Sequence, residues 1–198
     1  MQDVAIVERL RTWSLDDFDA RFAALTADLP EPDAAIAELL TRRRELFRQT
    51  ASLHDPARGQ EVFKQHCAAC HQIGGAGAKI GPQLDGVGIR GADRLLEDIL
   101  DPNRNVDAAF KTTALVMEDG RVLTGLIRRE EGATLVLANA EGKEFTVATS
   151  DIDQRKDSRL SLMPAQLVEK ISPESLGDLI VFLLQSSAPP PSGGAAPR

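Results

Sequence analysis

Hydrophobic residues recur every three or four positions near both ends of the chain, a spacing typical of helices with one buried face. In the first 52 residues the pattern has two stretches separated by Pro30 and Pro32. The first begins after a candidate N-cap at Ser14, and the second extends from about Asp33 to Gln49. Their apolar positions are Leu15, Phe18, Phe22 and Leu25, then Ile36, Leu39, Leu40, Leu46 and Phe47. We therefore expect residues 1–52 to form a helical segment.

Start and stop signals predict further helices in the rest of the chain. Asp55 followed by Pro56 combines a capping residue with proline at the first helical position. A second helix is expected over residues 92–100, stopped by Pro102, and a third begins at Ser172 and Pro173. The final residues, 187–198, consist mostly of Pro, Gly, Ala and Ser, and we expect this tail to be disordered.

The pattern changes between about residues 106 and 158, where β-branched residues and turn pairs such as Asp119-Gly120 alternate. Four segments are predicted strands: Thr112–Met117, Arg121–Ile127, Thr134–Leu137 and Glu144–Ala148. The prediction is a mainly α protein in which a small antiparallel β-meander interrupts a helical domain. That domain would occupy residues 55–186.

Composition narrows the class of protein. The chain has 198 residues, 42% of them hydrophobic, which is enough for a folded core. Its net charge of −7 argues against nucleic acid or an anionic membrane surface as the main partner. No run of eighteen apolar residues is present, so we expect no membrane span. The N-terminus also lacks the basic and apolar regions of a secretory signal.

The candidate chemistry lies in residues 67–71, which read Cys-Ala-Ala-Cys-His. Thiols one helical turn apart can add to the two vinyl groups of a haem, while the adjacent histidine faces the iron. The alternatives are less well supported. A zinc site would need a second ligand pair with suitable spacing. A thioredoxin-like redox pair would follow a strand, whereas Cys67 and Cys70 follow a predicted helix.

Met163 is the candidate for the second axial ligand of the iron. It is one of three methionines, with Met1 at the terminus and Met117 in a predicted strand. Met163 precedes Pro164, which stiffens the loop before the final helix. A thioether opposite a histidine raises the reduction potential and closes the iron to other ligands. His71 and Met163 together would therefore suit an electron carrier.

These features resemble a class I cytochrome c. The matching motifs are Gly59-x-x-x-Phe63, Cys67-x-x-Cys70-His71, Gly81-Pro82-x-Leu84, Gly88-x-Arg90, Met163-Pro164 and Asp178-Leu179-Ile180-x-Phe182-Leu183. The resemblance implies that the Pro82 carbonyl accepts a hydrogen bond from His71, that Leu84 packs on the haem and that Arg90 lies near a propionate. It also implies that the helix carrying Gly59 and Phe63 crosses the final helix.

The long gap between His71 and Met163 is unusual for that class. Residues 57–186, which include Asp101-Pro102-Asn103 and Ser161-Leu162-Met163-Pro164, resemble the haem-binding domain family named after Planctomycetes and Verrucomicrobia. In that family the module commonly follows propeller-like dehydrogenase or helical-repeat regions. The resemblance implies that residues 1–52 are the tail of such a region. It also implies that the natural protein is exported, to the periplasm or a similar compartment, and that this chain is a fragment of it.

The predicted function is a module with one covalent haem c that relays electrons from a fused dehydrogenase domain or a redox partner to an acceptor. We expect no catalytic residues, and we interpret Asp85, Asp93 and Glu97 as surface groups. The alternative is a haem enzyme or gas sensor, peroxidase-like, with an open or labile sixth site. The β insertion could dock the donor or simply close the methionine side of the pocket.

Overall fold

The computed structural model describes residues 19–20 and 33–186 and divides the chain into two compact units, residues 1–37 and 38–198. Apart from the helical residues 19–20, the predicted helix around Leu15–Leu25 lies outside the described residues, and so does the predicted tail at 187–198. In the first unit, the Asp33 carboxylate accepts a hydrogen bond from the Ala35 N–H at 2.8 Å. The second unit contains the sheet and the candidate chemistry.

Five α-helices lie in the described residues: α1 (Ala34–Thr50), α2 (Pro56–His66), α3 (Ala92–Leu100), α4 (Leu167–Lys170) and α5 (Pro173–Gln185). The predicted starts of α2 and α5 are confirmed. The Asp55 side chain accepts from the Ala57 N–H at 2.8 Å, and the Ser172 hydroxyl accepts from the Ser175 N–H at 3.1 Å. Each cap satisfies an N–H group that the first helical turn leaves unpaired.

The strands form two sheets. The short strands β1 (Gln72–Ile73) and β2 (Ala76–Gly77) pair as a hairpin. The larger sheet contains β3 (Lys111–Met117), β4 (Val122–Glu131), β5 (Thr134–Ala138), β6 (Glu144–Ala148) and β7 (Ile152–Ser161). Its order is β6-β5-β4-β3-β7 and all its pairings are antiparallel. The chain therefore makes a meander from β3 to β6 and then returns to add β7 beside β3.

The predicted fold class, a mainly α protein with a small β-meander, is wrong. The sheet is a major layer of the described molecule, and two of its strands are ten residues long. The prediction missed β7 altogether, because its sequence, Ile-Asp-Gln-Arg-Lys-Asp-Ser-Arg-Leu-Ser, is mostly polar, half of it charged, and does not alternate apolar and polar residues. Charged side chains are common on edge strands, where they discourage pairing with another molecule.

The large sheet has its own apolar core. All five strands contribute to one cluster, made of Leu115, Met117, Leu135, Leu137 and Val147 with Leu123, Ile127, Phe145 and Ile152 packed against it. Leu115 and Leu137 have no exposed surface. Because side chains alternate along each strand, this cluster lies on one face of the sheet. The opposite face is available for packing on the helical part of the unit.

Helices α2 and α5 cross in close contact. A Cβ built on Gly59 would lie 2.0 Å from the Asp178 carbonyl oxygen, so only glycine fits there without a shift. One helical turn later, the rings of Phe63 and Phe182 lie 5.7 Å apart. The helix crossing implied by the resemblance is therefore confirmed.

The side chain of Asp178 is buried at this crossing, with only 5% of it exposed. Arg58 donates to its two oxygens at 2.7 and 3.0 Å, and the Asp55 N–H donates at 2.8 Å. His54 Nδ1 lies 3.3 Å from the same carboxylate. Burial alone would raise the pKa of Asp178, but these hydrogen bonds and the Arg58 charge hold its pKa below the usual value. The carboxylate thus joins the start of α2 to α5.

A second buried carboxylate corrects a prediction from the sequence. Glu97 was interpreted as a surface group, yet it is only 4% exposed. Arg44 of α1 and Arg94 of α3 bind its two oxygens at 3.1 and 2.8 Å. Asp93, by contrast, is exposed and pairs with Arg48 at 2.9 Å. A single acidic residue on an amphipathic helix gives no sign that an arginine from a helix distant in the sequence binds it.

Gly59→Ala should destabilise the protein. Its methyl group would collide with the Asp178 backbone, and forcing a group into a filled contact costs roughly 1–3 kcal/mol in the free energy of unfolding. Denaturant unfolding would measure the loss. Gln60→Ala, at the neighbouring exposed position of α2, should have little effect. Equal stability of Gly59→Ala and the wild type would contradict the close crossing.

The stability should also depend on pH through Asp178. Because the folded-state pKa is lowered, its contribution is present above the unfolded value of about 4 and disappears as the pH falls through the folded value. Asp178→Asn should lower the free energy of unfolding at neutral pH by roughly 1–3 kcal/mol and flatten its decline in acid. Gly59→Ala, which keeps the carboxylate, is the matched control and should retain the decline. Parallel acid profiles for Asp178→Asn and Gly59→Ala would contradict this role.

Candidate functional site

The Cys-x-x-Cys-His motif continues directly from the end of α2. Cys67 is the C-cap of that helix, and its N–H donates to the Phe63 carbonyl at 2.8 Å. The chain then turns, and the N–H groups of Cys70 and His71 both donate to the Cys67 carbonyl, at 3.0 and 2.8 Å. The motif is therefore held in one compact turn whose position follows from the α2–α5 crossing.

Both cysteines are half-buried and are not joined in a disulfide. Burial, together with the neighbouring Cys70, raises the pKa of the Cys67 thiol to about 12. Burial also raises the pKa of Cys70. The two side chains are therefore neutral thiols at physiological pH, whereas a redox-active or metal-binding pair is favoured by a lowered pKa.

His71 is oriented by a backbone carbonyl. Its Nδ1 lies 2.9 Å from the Pro82 oxygen, as the resemblance implied. Because a carbonyl can only accept, Nδ1 carries the hydrogen, and Nε2 is left with a lone pair suited to a metal. Burial lowers the pKa of His71, which favours the neutral ring that iron requires.

The loop containing Pro82 is itself bound to the motif. The Ile80 and Gly81 N–H groups donate to the Cys70 carbonyl at 3.0 and 2.7 Å. Gly81 also lies against the imidazole, since a Cβ there would be 2.6 Å from His71 Cε1. The absence of a side chain at Gly81 thus lets the loop approach the ring and present the Pro82 carbonyl to it.

The large sheet packs against the motif from the other side. A second apolar cluster contains Ile80, Leu126 of β4 and Ala138 of β5, and the side chains of Cys70, Ala78, Phe110 and Leu162 pack on it. At the β5–β6 turn, a Cβ on Gly142 would lie 2.4 Å from the Ala69 carbonyl. We call this group of Ile80, Leu126, Ala138 and their neighbours the Ile80 cluster.

Met163 lies in the loop that follows β7 and is half-buried. Its N–H donates to the Ser161 hydroxyl at 3.1 Å, and the Ser161 N–H donates to the Asn103 side chain at 2.9 Å. The preceding residue, Leu162, packs on the Ile80 cluster together with Cys70. The Met163 loop and the motif therefore border the same apolar region, although they are far apart in the sequence.

Leu84 and Arg90 lie in the glycine-rich segment after Pro82. Leu84 is half-buried, and its N–H donates to the Gln72 carbonyl at 2.9 Å. Arg90 is exposed and pairs with Asp98 at 2.9 Å. Packing of Leu84 on a haem and contact of Arg90 with a propionate stay predictions.

The residues at the motif suit a covalently bound haem. Two neutral thiols, an oriented imidazole with Nε2 free of hydrogen-bond partners among the described residues, and an adjoining apolar cluster are the groups that haem c attachment uses. Within residues 19–20 and 33–186, no group of three or more His, Cys, Asp and Glu side chains could hold a metal ion by itself. A zinc site of that composition is therefore not found there.

Comparison with known families agrees with this chemistry. The model of the cytochrome c family matches residues 56–136. This segment is similar to a cytochrome c domain. Such a domain implies covalently attached haem c and an electron carrier, and cytochrome c domains are typically exported. The matched residues include the motif, Pro82 and the first strands of the large sheet, but end before Met163. The comparison with curated proteins found no match.

None of the helices in the described part of the chain is both long and apolar enough to cross a membrane.

Two residues near the Cys-x-x-Cys-His motif were not predicted from the sequence. Gly142 lies between two predicted strands, where glycine is typical of a turn, yet it touches the backbone of Ala69. Arg128 of β4 donates to the carbonyl oxygens of Ile80 and Lys79 at 3.0 and 2.5 Å. The next residue, Arg129, is exposed. In the sequence the two adjacent arginines look alike, and only the three-dimensional packing shows that Arg128 binds the loop while Arg129 does not.

Gly81→Ala should impair the site, because its methyl group would displace either the loop or the His71 ring. We expect a lower ratio of covalently bound haem to protein, measured by absorbance after expression with a cytochrome maturation system. Lys79→Ala removes an exposed side chain from the same loop and should retain the wild-type ratio. Normal haem content and spectrum in Gly81→Ala would show that the close approach is not required.

Proposed function

We propose that the chain is an electron-transfer module in which haem c is bound through Cys67 and Cys70 and its iron is ligated by His71 and Met163. The haem supplies the one-electron chemistry. The protein's part is to tether the group, to fix the imidazole through Pro82 and to exclude water with apolar side chains. Leu84 would pack on the haem, and Arg90 would approach a propionate.

One observation carries the proposal of Met163 as the second axial ligand. Leu162, its immediate neighbour, shares the Ile80 cluster with Cys70, so the two loops meet at one apolar region. The hydrogen bonds at Ser161 hold the backbone there. In the described residues, the other methionine is Met117, which is only 5% exposed in the internal core of the sheet. Met163 is therefore the methionine available to the site.

The large sheet holds the start of the Met163 loop in place through β7. This strand pairs with β3 as far as Lys111 and Ser161, and the buried Thr112 hydroxyl donates to the Leu160 carbonyl at 3.1 Å. The end of β7, from which the Met163 loop departs, is thereby fixed to its neighbouring strand β3. We propose that the residues between α3 and α4 deliver the methionine to the iron, in addition to any role in docking a partner.

The wider setting of the module follows from the same proposal. We propose residues 55–186 as the haem domain, of the type named after Planctomycetes and Verrucomicrobia, with residues 1–52 as the end of an upstream helical region. The electron donor would be a fused dehydrogenase domain or a separate redox protein. Because haem c is attached outside the cytoplasmic membrane, the domain would function in the periplasm or another exported location.

Replacing Met163 tests the ligand set. The oxidised protein should show the weak far-red absorbance band of methionine bound to ferric haem, and Met163→Ala should lose it because no thioether remains. Met117→Leu is the matched control and should keep the band. Carbon monoxide should bind slowly to the reduced wild type and readily to Met163→Ala.

A wild-type protein that lacks the band and binds carbon monoxide readily would contradict the His71–Met163 pair. It would favour the alternative of a haem enzyme or gas sensor with an open sixth site. A band that survives in Met163→Ala but disappears in Met117→Leu would show that the ligand was assigned to the wrong methionine.

A further inference from the structure

Arg128 connects the large sheet to the loop that orients His71. Its Nη1 donates to the Ile80 carbonyl at 3.0 Å and its Nη2 donates to the Lys79 carbonyl. These are consecutive carbonyls of the loop that continues to Gly81 and Pro82. A guanidinium is planar and presents its donors as a rigid fork, so it suits two neighbouring acceptors.

The strand geometry at Arg128 is irregular. In the pairing of β4 with β5, Ile127 lies opposite Leu137 and Arg129 opposite Val136, which leaves Arg128 without a partner residue. Such a β-bulge adds one residue to a strand, and bulges near functional sites commonly redirect a side chain. The bulge thus coincides with the residue that leaves the sheet to bind the loop.

The environment of Arg128 restricts its movement. About a quarter of the side chain, 26%, is exposed, and the Glu144 carboxylate of β6 lies 3.8 Å from its Nε. Arg128 Nε is buried and makes no hydrogen bond of its own. The hydrogen bonds that Arg128 makes are therefore the two from Nη1 and Nη2 to the loop carbonyls, with the Glu144 carboxylate close enough to add a charge interaction.

The loop is therefore held on both sides. Its N–H groups at Ile80 and Gly81 face the Cys70 carbonyl, and its carbonyls at Lys79 and Ile80 face Arg128. Pro82 follows directly and accepts from His71 Nδ1. A loop released from the sheet could move away from the imidazole ring, and the hydrogen bond that sets the ring's orientation would weaken.

We propose that Arg128 is a positioning residue of the haem site: by binding the Lys79 and Ile80 carbonyls, it fixes the Pro82 carbonyl against His71 Nδ1–H and so orients the imidazole toward iron. Partners of this kind, beyond the ligands themselves, are known to control ligand orientation and basicity in metal sites. The inference rests on the proposed ligation of haem by His71.

The test measures the exchange of the His71 Nδ1 proton with deuterium by NMR in the reduced holoprotein. Arg128→Gln should accelerate this exchange about tenfold, as expected when a charge-assisted hydrogen bond that supports the loop is lost. Arg128→Lys keeps the charge but lacks the planar fork that matches two neighbouring carbonyls, so its exchange rate should lie between those of Arg128→Gln and the wild type. Haem content and thermal stability would be measured in parallel.

Arg129→Gln is the matched control. Arg129 is adjacent and equally charged, but it binds the carboxylates of Glu131 and Glu144 at 2.5 and 2.7 Å instead of the loop. Its variant should exchange the His71 proton at the wild-type rate. If Arg128→Gln does not yield holoprotein, the proposal is tested by comparing the His71 exchange rates of Arg128→Lys and Arg129→Gln. Equal rates in these two variants would overturn the proposal.

Two other results would also overturn it. One is an unchanged His71 exchange rate in Arg128→Gln. The other is an acceleration shared by amides of the sheet core such as Leu115, which would mean a general loss of stability. A wild-type holoprotein without the spectrum of histidine-ligated haem would instead refute the proposed function, so the two failures can be distinguished.

Discussion

The arrangement of the whole site depends on the contact between α2 and α5. Gly59 allows the two backbones to touch, and the buried Asp178 carboxylate binds Arg58 and the Asp55 N–H across the crossing. Since Cys67 caps the end of α2, this contact also fixes where the Cys-x-x-Cys-His turn begins. The chemistry of the motif is local, but its position relative to the rest of the domain is determined at the helix crossing.

The large sheet adds a second framework that approaches the same motif. Through the Ile80 cluster and Arg128 it contacts Cys70 and the loop that orients His71, and through β7 it carries the chain to the Met163 loop. A covalently tethered haem needs its two faces closed by segments from different parts of a chain. With the proposed ligation by His71 and Met163, the helices would supply the histidine side, and the sheet would supply the methionine side and brace the loop between them.

The sequence was sufficient to predict the local features. The motif, the capped starts of α2 and α5 and the close approach at Gly59 are each encoded by residues near one another or by a distinctive residue type. The extent of the sheet was not predictable in the same way, because β7 is charged and is stabilised by pairing with β3. Glu97 and Arg128 were also misjudged or missed, since their burial results from partners 50 or so residues away. Long-range packing thus accounts for most of what the sequence analysis lacked.

Covalent haem attachment is tested most directly by peptide mass spectrometry of the protein after expression with a cytochrome maturation system. We expect the peptide containing Cys67–His71 to carry one haem and neither thiol to react with an alkylating agent, while Cys67→Ser with Cys70→Ser should yield the same peptide without haem. Complete alkylation of both cysteines in the wild type, with no haem-bearing peptide, would contradict covalent haem c attachment and the electron-transfer function that follows from it.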